Sequence, residues 1–156
     1  MTNSTDNSPR WLSDEEQCLW RKWLAASRRI DSELARDMQR QSGLSMSDYE
    51  VLVNLSEAPD YRMRIAALAD ALTWDRSRLS HQISRMIKRD LLTREACESD
   101  GRGAFIALTQ TGLSTIQQAA PGHVDSVRRL MIDRLDEQQA ADLGRILDVI
   151  LEQFED

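Results

Sequence analysis

The chain has 156 residues, 41% apolar and 29% charged, enough for one buried core and too evenly balanced for a disordered chain. Six glycines and three prolines are too few for a sandwich of short strands. Two cysteines (Cys18, Cys97) and two histidines (His81, His123) offer neither a disulfide framework nor metal-ligand spacing, so no cofactor is expected. No apolar run reaches the ~20 residues of a membrane span, and the polar N-terminus lacks the apolar stretch of a signal peptide. The expectation is a cytoplasmic protein with no membrane partner.

Residues 1–10 read as a disordered tail. Ser13-Asp14-Glu15-Glu16 fits a capping box, and Trp20, Trp23, Leu24, Ile30, Leu34 and Met38 recur at three- and four-residue steps. That spacing predicts a long helix to about Ser42, with Gly43 as its left-handed stop. Ser47-Asp48-Tyr49-Glu50 reads as a second capping box, opening a helix through Val51, Leu52 and Leu55 that Pro59 ends. After a loop at Pro59–Arg62, Ile65–Leu72 predicts a short helix, broken at Thr73-Trp74-Asp75. A third segment of helical period covers Asp75–Asp90.

The period then changes. Leu91–Cys97 and Ala104–Thr109 are β-type runs joined by the turn-rich residues 98–103. From Gln110 the helical pattern returns, and Pro121, which lacks an N–H, predicts a kink or break. Asp136 can cap a last helix with Leu143, Ile146, Leu147, Ile150 and Phe154 on one stripe. This order is mainly α with a small β-hairpin wing: a winged helix–turn–helix lobe between long terminal helices. Those terminal helices carry longer apolar stripes than one small lobe can cover, which predicts a twofold homodimer built from them.

Net charge is −6, yet the window Arg62–Ala104 holds nine basic and six acidic residues and nets +3. At ~100° per residue, Leu79, Ile83, Met86 and Ile87 fall on one arc of the third segment. Arg78, His81, Gln82, Arg85 and Arg89 fall on the opposite arc. No acid lies between Arg76 and Arg89, so this face lacks the acid–base pairs that support ordinary exposed helices. Arg76, Ser77, Arg78, Ser80, His81, Gln82, Arg85 and Arg89 are donor and acceptor types that contact phosphates and base edges, and double-stranded DNA is the expected partner. At the hairpin tip, Gly101 and Gly103 permit a tight turn and leave Arg102 as the one basic side chain, suited to a minor groove. Asp100 is expected to pair with a nearby arginine and orient the loop, Arg94 being one candidate.

The runs Arg62-Met63-Arg64-Ile65-Ala66-Ala67-Leu68-Ala69, Asp75-Arg76-Ser77-Arg78-Leu79-Ser80 and Asp100-Gly101-Arg102-Gly103, with Leu108-Thr109-Gln110-Thr111-Gly112, together resemble the MarR family of bacterial transcriptional regulators. The resemblance runs from about Leu12 to Phe154. It implies an intertwined homodimer and binding to pseudo-palindromic operator DNA, usually as a repressor, with release on small-molecule binding or oxidation. Carried over by position, Arg76 through Arg85 would read the major groove and Arg102 the minor groove. Residues 11–46 and 110–156 would supply the dimerisation helices, and 47–109 the DNA-binding lobe. Many members have further basic residues after the Asp-x-Arg, where this chain has Gly103-Ala104-Phe105.

For a releasing signal, Trp20 and Trp23, with Tyr49, are candidates to line a pocket for a small aromatic or amphipathic ligand. His123 could sense pH or hold a ligand carboxylate. Cys18 or Cys97 allow a redox-sensing alternative, although both read as buried small apolar residues. A helical protein-interaction module without a DNA role is the other alternative. An enzyme is not expected, because no nucleotide-binding glycine motif, metalloprotease motif or nucleophile–base pair occurs.

Overall fold

The computed structural model describes residues 9–96 and 104–154. By its internal contacts the chain divides into two units, Met1–Glu33 and Leu34–Asp156. Helix α1 (Asp14–Ser42) opens on the expected cap: the Ser13 N–H donates to Glu16 Oε2 at 2.8 Å, and the Glu16 N–H to Ser13 Oγ at 3.2 Å. Three acids in its first turn face the positive end of the helix dipole. It stops at Gly43, whose φ of +68° is the left-handed geometry that a residue without Cβ adopts freely. In the first unit Trp11, Leu12, Leu19, Trp20 and Trp23 are all exposed.

Helix α2 (Met46–Glu57) is capped by Ser45, two residues before the expected Ser47. Ser45 Oγ accepts from the Asp48 N–H at 3.0 Å, and the Asp48 carboxylate accepts from the Ser45 N–H at 2.9 Å. The reciprocal pair needs a side chain three residues on that can reach back, and from Ser45 that residue is Asp48. Strand β1 (Arg62–Arg64) leads into α3 (Ile65–Leu72), which ends with Thr73 in the left-handed region. Helix α4 (Arg76–Lys88) follows, capped by Asp75, whose carboxylate accepts from the Arg78 N–H at 2.8 Å.

Strands β2 (Leu92–Ala96) and β3 (Ala104–Leu108) form the expected antiparallel hairpin, with Leu92 opposite Leu108 and Ala96 opposite Ala104. The sheet has a third strand that periodicity did not announce. β1 pairs with the other edge of β3, Met63 opposite Ile106, giving the order β1-β3-β2. Helix α5 (Gln110–Leu130) starts on Thr109, whose hydroxyl accepts from the Gly112 N–H at 2.9 Å and donates to the Asp90 carbonyl at 2.5 Å. Helix α6 (Glu137–Leu151) closes the fold on an Asp136–Gln139 capping box.

Pro121 does not break α5, which continues as one helix across it. Proline and Gln117, the residue whose carbonyl loses its N–H partner, are both exposed, so water can replace the missing bond. Beneath the sheet and helices the core is aliphatic: Leu52, Leu55, Leu68, Leu79, Ile83, Met86 and Ile106 are fully buried. Each such side chain contributes about 1.5–3 kcal/mol from burial. Three of the seven lie on α4, so the inner side of that helix is fixed by the core and its outer side by default faces solvent.

Candidate nucleic-acid interface

On the outer side of α4, Arg76, Ser77, Arg78, Ser80, His81, Ser84, Arg85, Lys88 and the C-capping Arg89 are exposed. The Arg78 guanidinium lies over the Trp74 ring, 3.9 Å from its centroid, an attraction between cation and ring face that restrains the long side chain. Trp74 ends the turn between α3 and α4, where its N–H donates to the Ala69 carbonyl at 3.0 Å.

Gln82 is not on this outer face. It is 2% exposed, and its Nε2 donates to Asp48 Oδ1 at 2.7 Å while its Oε1 accepts from Arg85. Position 82 is the edge of the polar arc, next to Met86 on the helix surface, and the buried carboxylate of α2 supplies the partner that draws an amide inward there. The cations are also less isolated than spacing alone implies. Arg89 pairs with Asp48 Oδ2 at 2.8 Å. Burial opposes the charge on Asp48, but hydrogen bonds from Arg89 and from Ser45, with the Arg89 charge, outweigh it and hold the carboxyl below its ordinary value.

The wing adds two arginines that sequence spacing did not single out. Arg62 and Arg64 on β1 lie over the Phe105 ring of β3, at 5.1 and 5.3 Å from its centroid. Arg62 also pairs with Glu95 of β2 at 3.0 Å. Met63 between the two arginines is turned inward as a strand requires, an alternation too short at three residues to stand out in the sequence. Arg94 is exposed on β2, opposite Ile106. Asp100, Gly101, Arg102 and Gly103, with Cys97, lie outside the described residues, so the expected pairing of Asp100 lies there too.

The candidate effector residues have different settings. Trp20 and Trp23 are about half exposed on α1. Tyr49 is buried and packs against His123, ring centroids 4.4 Å apart and planes tilted by 40°. Burial, with a smaller contribution from the Glu57 charge, raises the Tyr49 phenol above its ordinary value, and burial lowers the His123 imidazole. His123 Nδ1 is buried without a hydrogen-bond partner. Cys18 is exposed, against the expectation of a buried apolar role. It shares an open concavity with Asp14, Gln17, Arg21, Lys22 and Ala25, and this polar helix face leaves its thiol in solvent.

The crystal structure of AbsC, a MarR family transcriptional regulator from Streptomyces coelicolor, superposes with a TM-score of 0.89. The two sequences are 49% identical over 94% of this chain and 98% of that one. The chain belongs to the MarR family. The family's sequence model matches residues 42–103, from the end of α1 to the residue before β3. A second MarR family regulator of S. coelicolor, Sco3205, crystallised in complex with DNA, is 40% identical with a TM-score of 0.90, covering 95% of this chain and 93% of that one. The Bacillus subtilis (strain 168) HTH-type transcriptional repressor YetL is 25% identical over 97 residues, which are 62% of this chain and 58% of its own length. As a MarR family member the protein is a transcriptional regulator with a winged helix–turn–helix, and the resemblance read from its sequence is borne out. No helix among the described residues is long and apolar enough to cross a membrane.

Proposed function

We propose that this MarR family regulator is a homodimeric, sequence-specific DNA-binding protein that represses at a pseudo-palindromic operator. Helix α4 enters the major groove, and Arg102 at the wing tip enters the minor groove. The observation that carries this reading is the outer face of α4, where Arg76, Arg78, Arg85 and Lys88 stand exposed on a helix without a single acid. Unpaired like charges on one face cost stability, and phosphates of a duplex offset that cost while releasing counterions. Ser77, Ser80 and His81 stand among the cations as groups able to contact base edges or phosphates, and Arg62, Arg64 and Arg94 add positive charge on the wing. The crystallised DNA complex of Sco3205 supports the DNA partner, and the likeness to the repressor YetL supports the sign of regulation.

The division of labour follows the apolar surface: residues 47–109 form the DNA-binding lobe, and 11–46 with 110–156 the dimerisation helices. Ile146, Val149, Ile150 and Leu151 of α6, with Phe154 beyond it, are exposed in the single chain, as are Trp11, Leu12 and Leu19. Covering such surface contributes ~25 cal/mol per Å². A twofold arrangement also sets two copies of α4 about one DNA turn, ~34 Å, apart. Release is assigned to a small aromatic or amphipathic ligand, for which the exposed indoles Trp20 and Trp23 offer stacking faces.

The test is to incubate purified protein with sheared genomic DNA and sequence the retained fragments. The reading expects one enriched inverted repeat with half-sites about one helical turn apart. Fragments with no common sequence would overturn it. The exposed thiol of Cys18 favours a second reading, control by oxidation. Peroxide should then release DNA from the wild type and leave the Cys18→Ser variant bound; equal behaviour of the two removes that reading.

A further inference from the structure

Asp48 belongs to α2, inside the lobe, and is 4% exposed, yet it touches two residues of the recognition segment. Its Oδ1 accepts from Gln82 Nε2 at 2.7 Å, and its Oδ2 accepts from Arg89 at 2.8 Å. Gln82 in turn accepts from Arg85 through its Oε1. The Asp48 backbone and carboxylate are themselves pinned by the Ser45 cap. We propose that Asp48 is a positioning residue for DNA recognition: it fixes the direction of Arg85 through Gln82, and that of Arg89 directly, before the duplex arrives. This inference rests on the DNA-binding reading above.

The chemistry of the relay is directional. A carboxylate only accepts, so the Gln82 NH₂ must face Asp48 and its oxygen must face Arg85. An amide turned the other way would set two acceptors against one another at the Asp48 end and two donors at the Arg85 end, and leave a buried carboxylate oxygen without its hydrogen. Burial of Gln82 keeps water from substituting for either partner. The guanidinium of Arg85 therefore reaches solvent in a set orientation, and less of its freedom is lost when it meets a base or phosphate. Electrostatic attraction to DNA needs only charge, which a swinging arginine retains. Discrimination between sequences needs geometry, which it does not.

The experiment compares wild type with Gln82→Met, which keeps the length of the side chain and removes both hydrogen bonds. Two duplexes are used: the inverted repeat selected from genomic fragments, and a duplex of scrambled sequence. Gln82→Met should weaken binding to the selected duplex by about tenfold and leave the scrambled duplex within about twofold. In an Arg85→Ala background the same substitution should add nothing further, because the group it positions is gone. Asp48→Asn, which can no longer force the amide one way and also gives up the ion pair with Arg89, is the second variant: part of its loss should vanish in the Arg85→Ala background and the rest in an Arg89→Ala background. Thermal melts of each variant separate this loss from unfolding.

Equal binding of Gln82→Met and wild type to the selected duplex overturns the inference and leaves the DNA reading intact. So do losses that add fully to that of Arg85→Ala, or that are equal on both duplexes. A wild-type protein that retains no duplex overturns both.

Discussion

Ser126 of α5 donates its hydroxyl to the buried Asp37 carboxylate of α1 at 2.8 Å, across 89 residues of sequence. Arg129 closes on the same oxygen at 2.6 Å, and Arg40 holds the other at 2.7 Å. One carboxylate thus joins the end of α1 to α5, the two helices that flank the DNA-binding lobe in sequence.

The Asp37 network makes stability depend on pH in a stated direction. The Ser126 hydrogen bond comes first among the causes that hold the Asp37 carboxyl below its ordinary value, and Arg40 and Arg129 add to it against the opposing effect of burial. A carboxyl lowered in the folded state contributes stability above its unfolded value of about 3.9, and that contribution fades as pH falls through the folded value. Asp37→Asn should therefore melt below wild type at pH 7. The gap should close in acid, where the wild-type residue is itself protonated. A gap of constant size down to the lowest pH at which both fold would show that charge plays no part.

His123 also weakens the fold as pH falls, but because its neutral form, not its charged one, is favoured in the folded chain. Its imidazole is lowered by burial beside Tyr49, so the unfolded chain takes up the proton first. Stability is then full above about pH 6.5 and falls as pH drops below it, levelling off under the folded value. His123→Phe keeps a ring against Tyr49 and discards a nitrogen that has no partner. The variant should gain about 1 kcal/mol at pH 7 and lose the slope below pH 6.5. Urea unfolding across that range measures both.

Much of this architecture is legible in the sequence because its signals are local. Caps at Ser13 and Asp136, the left-handed Gly43 and the change of period at Leu91 all act within four residues of themselves. Strand β1 escapes because Arg62-Met63-Arg64 is too short to show a period, and its partner β3 lies some 40 residues on. Gln82 is misplaced for a related reason. Periodicity sorts residues by polarity, and the partner that makes a buried amide tolerable is 34 residues away on α2. Pro121 reads as a breaker because the spacing cannot tell that its ring and the carbonyl it frees both face water.

Gly112 is a second place where neighbours, not period, decide the residue. A Cβ there would sit 2.1 Å from the Leu91 carbonyl oxygen, a backbone atom that also accepts from the Thr109 N–H at 3.2 Å. Neither chain can move without parting β2 from the start of α5. Gly112→Ala should cost more than the usual 1–3 kcal/mol of an overfilled core and lower the urea midpoint accordingly. A midpoint equal to wild type would mean that the junction yields.

If the cationic outer face of α4 grips DNA, affinity for the selected duplex must follow salt concentration. Fluorescence anisotropy of a labelled duplex gives the dissociation constant at each salt concentration. For wild type the logarithm of affinity should fall linearly with the logarithm of salt, and Arg78→Ala should reduce the steepness by about one phosphate contact. Affinity that does not change with salt, or an Arg78→Ala line parallel to and superimposed on the wild-type line, would contradict the account.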